Sequence, residues 1–187
     1  LYMFGPAGAG KSYLIKNVLN IPLAPSPDLK GEVTDKLGFW TSNPDIDIED
    51  VYPAFKISMK FANSEAGDDA ELEKLQQISR KILQNAVRAK TANKLAIANP
   101  IIFDTTGEEG PKQVAKMKAM VELGYDVAVM MINVPEEASV ERDAKRDRTV
   151  GAERTAAISQ VYQKSVVDHE GYFKTVSYTH LRAHETD

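Results

Sequence analysis

The residues with the clearest chemistry stand at the head of the chain: Gly5, Pro6, Ala7, Gly8, Ala9, Gly10, Lys11 and Ser12. They fit the pattern G-x-x-x-x-G-K-[ST] without a mismatch. Glycines at these positions permit backbone angles closed to other residues and let amide N–H groups turn toward a phosphate. A helix starting at the lysine adds its positive end at the same point. Lys11 can reach β- and γ-phosphates, and the Ser12 hydroxyl can help hold Mg²⁺. The context agrees, with apolar residues before the loop and a helical pattern after it. This loop points to a nucleoside triphosphate but not to what is done with it.

Three further groups could act on such a ligand. Asp45 follows a short strand pattern, and strand ends at the carboxyl edge of a parallel sheet face the ligand crevice. It could orient a hydroxyl and accept its proton; Asp47 is the alternative. The competing reading makes both of them, with Glu49 and Asp50, a solvated acidic helix start. Asp104 ends the apolar run 101–103 and is placed to hold a magnesium shell, or else to act as a turn acid. Arg142 and Arg146 share one helical face, with Arg148 just beyond and Arg154 as a further candidate. Arginine forks stabilise charge on a transferring phosphoryl group; the plainer reading is a solvated helix paired with Glu141, Asp143 and Asp147.

The elements that must position these groups alternate. Strands are expected at 1–4, 38–41, 101–103 and 125–133, with the beginning of another at 173–176. Helices are expected at 13–19, 48–62, 68–98, 110–123, 136–146 and 152–168. Residues 21–36 carry too many prolines for a helix. In the helix over 48–62, Pro53 falls in the first turn and Val51, Phe55 and Met59 form the apolar row. In the helix over 68–98, Leu72, Leu75, Ile78, Ile82, Leu83 and Val87 mark the core-facing side. Met117, Met120, Met130 and Met131 read as core filler, and Phe39 and Trp40 as packing residues. The alternation predicts an α/β fold, a mostly parallel sheet with helices on both faces.

Composition narrows the classes. The chain has 187 residues, no cysteine and a formal net charge of −4. The absence of cysteine removes disulfide scaffolds, thiolate metal sites and cysteine nucleophiles, and fits a reducing compartment, with the cytoplasm as the expected location. The acidic balance argues against a whole-surface grip on nucleic acid and leaves a local basic cleft open. The longest apolar run, 127–132, falls well short of a membrane span of about 20 residues.

The loop, Asn43-Pro44-Asp45, Phe103-Asp104-Thr105-Thr106-Gly107 and the Arg142, Arg146, Arg148 cluster together resemble small P-loop kinases of the zeta-toxin and polynucleotide-kinase type, over most of residues 1–168. The resemblance implies a three-layer P-loop NTPase fold with a helical lid. It implies ATP and Mg²⁺ as cofactors, Lys11, Asp45, Arg146 and Arg148 as catalytic residues, and Ser12 and Asp104 toward the metal. Gly5 to Ser12 and Arg142 are expected to bind the nucleotide. The acceptor implied is a small molecule such as a nucleotide sugar; a 5′-hydroxyl polynucleotide kinase, an NTP-hydrolysing switch and a binding-only protein remain alternatives. Residues 1–175 are expected to form the kinase domain, shortened at both ends. Residues 176–187 resemble a translated sequencing adapter on a metagenomic gene fragment, so His180 and His184, four apart, are not read as a metal site.

Overall fold

The computed structural model describes residues 1–19, 39–57, 59, 70–146 and 149–172. Among these, four strands form one sheet: β1 (Tyr2–Phe4), β2 (Trp40–Ser42), β3 (Ile101–Thr105) and β4 (Val129–Met131). Their order across the sheet is β2-β3-β1-β4, and every pairing is parallel. Parallel strands need long crossovers, and helices supply them. These are α1 (Lys11–Tyr13, continued by a π-helical turn Leu14–Val18), α2 (Pro44–Ala54), α3 (Ala70–Ala96), α4 (Gly110–Glu122), α5 (Glu136–Ala144) and α6 (Ala152–Tyr172). The expected α/β architecture is the one observed. The expectations over 21–36, 60–62 and 173–187 lie outside the described residues.

The central strand explains the layering. All three residues of β1 are buried, as a strand covered on both faces requires. Met3 points to one side and packs with Ile15, Ile102 and Ile132. Tyr2 and Phe4 point to the other and pack with Met117 of α4 and Tyr162 of α6. The Tyr2 and Phe103 rings stack across adjacent strands with centroids 4.6 Å apart. Two cores thus sandwich the sheet. No helix among the described residues is long and apolar enough to cross a membrane.

Three elements differ from expectation. Helix α2 begins at Pro44, not at 48, because Asn43 caps it: its Oδ1 accepts the Asp45 backbone N–H at 2.9 Å, with Pro44 at the first turn. Pro53 therefore falls near the end of α2, and Ile48 and Tyr52 form its buried row while Phe55 is 74% exposed. Helix α3 is turned from the expected phase. Leu75, Ile78 and Ile82 are exposed; Val87 is buried as expected, but beside it the buried residues are the polar Gln76 and Thr91. Its orientation is fixed by polar contacts: Trp40 Nε1 donates to Thr91 Oγ1 at 3.2 Å, and Thr91 donates to Ser42 Oγ at 3.0 Å. Strand β4 keeps only three residues of the apolar run 125–133. Upstream of it, the Tyr125 N–H closes the turn after α4 onto Met120 O and its hydroxyl donates to Asn99 O.

Met117 is fully buried between the sheet and α6. Met117→Ala is expected to cost about 2–5 kcal/mol, the usual range for emptying such a site. Chemical denaturation with an unchanged slope reads the loss; a change under about 0.5 kcal/mol would contradict this account of the core.

Candidate functional site

The loop between β1 and α1 reverses direction through Gly8 (φ 73°) and Gly10 (φ 92°), both in the left-handed region. The Ala9 N–H closes onto Pro6 O at 3.2 Å. The loop is braced from outside. A side chain at Gly8 would put its Cβ 2.3 Å from the Ser139 carbonyl oxygen of α5, so only glycine allows that approach. The Ser139 hydroxyl donates to Ala7 O in the same contact.

Lys11 lies over this loop. Its Nζ donates to Gly5 O at 2.7 Å and Pro6 O at 3.1 Å, and stands 3.9 Å from Asp104 Oδ1. The side chains of Lys11 and Asp104 are only 14% and 4% exposed. Both charges are therefore expensive. Desolvation pulls the Lys11 ammonium below its usual range, opposed by the nearby Asp104 and Asp45 carboxylates. Desolvation likewise pushes the Asp104 carboxyl up, opposed chiefly by Lys11 and further by a hydrogen bond from Asn43.

Register puts Asp104 there. It pairs with Met3, and Thr105 with Phe4, so the end of β3 lies beside the mouth of the loop although 100 residues separate them. Asn43 ties the third strand end to the same point. Its Oδ1 caps α2 while its Nδ2 donates to Asp104 Oδ2 at 2.7 Å. One amide thus fixes both the carboxylate of β3 and the first turn of α2, which carries Asp45.

These groups open on one cleft of about 1830 Å³, lined by Gly8, Ala9, Gly10, Lys11 and Ser12 on the loop side. Asp45, Asp104, Arg142 and Arg146 line it as well, so four candidates from distant parts of the sequence converge. Asp47 is not among the lining residues. Arg146 bridges the cleft: its Nη2 meets Glu49 Oε1 of α2 at 3.4 Å and its Nη1 stands 3.8 Å from Asp143 Oδ1 of α5. Its positive field reaches Lys11 and Asp104. Arg154 reaches Glu108 at 3.5 Å on another part of the rim. Arg148 lies outside the described residues.

Sequence reasoning missed three contributors. Asn43 was legible as a cap, since an Asn-Pro followed by acids is a helix-start signature. Ser139 carried no signal, because its partner Ala7 lies 132 residues away; Asp143 was read only as an acid pairing with the arginines, and its bonds to Val150, Gly151 and Thr155 carried no pattern of their own.

The donor set suits Mg²⁺. Asp104 Oδ1 is buried without a hydrogen-bond partner, and a hydroxyl, Ser12, lines the same cleft. Mg²⁺ characteristically takes one or two protein oxygens together with phosphates and waters.

The raised carboxyl has a consequence for stability. A folded value above the ordinary 3.8 means that the neutral form's contribution is present at low pH and lost as pH rises through the folded value. Ionised Asp104 is then a net cost at neutral pH. The paired change Lys11→Met/Asp104→Asn, which leaves neither charge buried alone, is expected to raise the melting temperature of the ligand-free, metal-free protein at neutral pH. The difference should shrink on acidification, as the wild-type carboxyl takes up its proton. A variant that melts lower at neutral pH would refute this.

A search of the curated proteins finds no match to the chain. A family model described as an AAA domain matches residues 1–166. With this match, the loop at the end of β1 and the parallel sheet that carries it, the chain belongs to the AAA domain family, a P-loop NTPase-like family of nucleotide-binding proteins that includes kinases.

Proposed function

We propose that this protein is an ATP- and Mg²⁺-dependent phosphotransferase that moves the γ-phosphoryl group to a hydroxyl of a small-molecule acceptor. The observation that carries the reading is the placement of Asp45 on the wall of the cleft that also holds Lys11, Asp104 and Arg146. A pure phosphate grip has no need of an acid from the first turn of α2; transfer to an alcohol does.

In this reading the amides of Gly8 to Ser12 and the Lys11 ammonium hold the β- and γ-phosphates. Lys11 exchanges the Gly5 and Pro6 carbonyls for phosphate oxygens. Ser12 and Asp104 hold Mg²⁺, which neutralises phosphate charge. Asp45 orients the acceptor hydroxyl and takes its proton as the oxygen attacks the γ-phosphorus. The bond to the β,γ-bridging oxygen breaks, and ADP leaves with that electron pair. Arg146 leaves Glu49 to meet charge on the transferring group, and Arg142 serves on the rim; Arg148 belongs to the same group by the sequence resemblance. The cleft has room for a nucleotide and a second small molecule, which supports an acceptor such as a nucleotide sugar over a long nucleic acid. The parallel to zeta-toxin-like kinases is part of this proposal, as are ATP over GTP and a cytoplasmic location.

The test is transfer from γ-labelled ATP to a panel of sugars, nucleotide sugars and oligonucleotides. Label is expected in a small-molecule acceptor. Asp45→Asn should lower transfer by about 10²-fold or more, the scale of a lost general base, with ATP affinity changed less than about threefold. Labelled oligonucleotide would favour the polynucleotide-kinase alternative. Phosphate release alone, unaltered in Asp45→Asn, would identify an NTP-hydrolysing module instead.

A further inference from the structure

Asp143 is a buried carboxylate to which the transfer chemistry above assigns no role. Its side chain is 2% exposed. It sits on α5 one turn beyond Ser139, the residue that braces the phosphate loop. Its Oδ2 accepts three hydrogen bonds from the next element: the Val150 N–H at 2.8 Å, the Gly151 N–H at 3.2 Å and the Thr155 hydroxyl at 3.2 Å. Val150 and Gly151 directly precede α6 and Thr155 lies in its first turn, so one carboxylate gathers the donors around the amino end of that helix. The helix dipole favours a negative charge there. Here the acceptor comes from the preceding helix, so it also ties the end of α5 to the start of α6. Arg146 lies just past the end of α5, next to this tie. Its N–H donates to Asp143 O at 3.1 Å, and its guanidinium faces Asp143 Oδ1 at 3.8 Å.

We propose that Asp143 is a positioning residue for Arg146, fixing the end of α5 from which this guanidinium reaches the loop cleft. The geometry has a continuous physical route. Gly8 and Ala7 contact α5 at Ser139; Asp143 follows on the same helical face; its carboxylate pins the start of α6 and faces the arginine between. The contacts of Ser139 with Ala7 and of Asp143 with Thr155 are buried, and the carboxylate that joins them to the arginine is buried as well, so this part of the route is shielded from solvent. The inference rests on the reading of Arg146 as the group that meets the transferring phosphoryl.

The test needs no acceptor. The full chain is titrated with Mg·ADP and with Mg·ADP plus aluminium fluoride, which mimics the transferring group. Arg146→Ala is expected to weaken the fluoride complex by about tenfold or more while changing ADP affinity little, as loss of one charge-stabilising donor should. Asp143→Asn should show the same selective loss, because its amide oxygen can keep the three donors only by turning the NH2 group, itself a donor, onto the Arg146 guanidinium in place of Oδ1. The double variant should be no worse than Arg146→Ala, since a residue that acts only through the arginine adds nothing once it is gone. Thr155→Val removes one donor to Asp143 and should give a smaller loss of the same kind, while Thr155→Ser restores binding. This milder pair decides the matter if Asp143→Asn fails to fold. Equal weakening of ADP and the fluoride complex, an additive double variant, or a selective loss in Arg146→Ala that is absent from the Asp143 and Thr155 variants would overturn the proposal. No effect of Arg146→Ala would instead remove the reading of Arg146, and the proposal with it.

Discussion

The site is organised around two opposite charges kept out of water: the Lys11 ammonium and the Asp104 carboxylate, 3.9 Å apart. At that distance their attraction is about 4 kcal/mol in an effective dielectric of about 20, whereas taking each ion out of water costs several kcal/mol. The attraction does not cover both penalties, which is why desolvation dominates the shift of each group. Neither charge is placed there for the sake of the fold. In the proposed function the pair becomes favourable when further charge of both signs arrives, a polyphosphate for the ammonium and a divalent cation for the carboxylate. Electrostatic cost in the free protein is then the counterpart of affinity for a charged ligand pair.

The sheet order makes this juxtaposition possible. Because β3 lies between β2 and β1, two separate strand ends open beside the phosphate loop, one carrying Asp104 and the other Asn43. A sheet built in sequence order would have put β2 there instead. Asn43 then turns proximity into rigidity, since its two side-chain atoms serve two different elements. If it lost either contact, the first turn of α2 and the carboxylate of β3 would no longer be held in one frame.

What the sequence discloses follows from how local each constraint is. The phosphate loop was legible because its conformation is written in its own glycines, and the strand of Asp104 because an apolar run ending in an acid is a local pattern. The phase of α3 was not. Periodicity shows that a helix has a stripe, but Leu75, Ile78 and Ile82 lost to a polar row because Trp40 and Ser42 offered Thr91 hydrogen bonds. The start of α2 was misread for a different reason: the spacing of Val51, Phe55 and Met59 outweighed the cap signal at Asn43 and Pro44. Ser139 was illegible, and of Asp143 only its pairing with an arginine could be read. A buried polar residue is tolerated only where partners satisfy it, and theirs are Ala7, 132 residues away, and the start of α6. Asp45 and Arg146 occupy a middle case, in which residue type and approximate place were readable but the convergence on one cleft was a property of the fold.

The contacts of Arg146 differ in strength in a way that matters for a moving group. Its ion pair with Glu49 joins side chains 38% and 47% exposed, and such pairs contribute roughly 0–1 kcal/mol. Its backbone, by contrast, leaves a helix end held by a fully buried carboxylate with three donors. The guanidinium can therefore exchange one oxygen partner for another at little cost while its point of attachment stays fixed. A residue anchored at both ends would be too rigid to follow charge from reactant to product; one loose at both ends would spend binding energy on being ordered. Tight backbone and loosely held side chain is the combination that the role proposed for Arg146, answering charge that develops beside the phosphate loop, asks for.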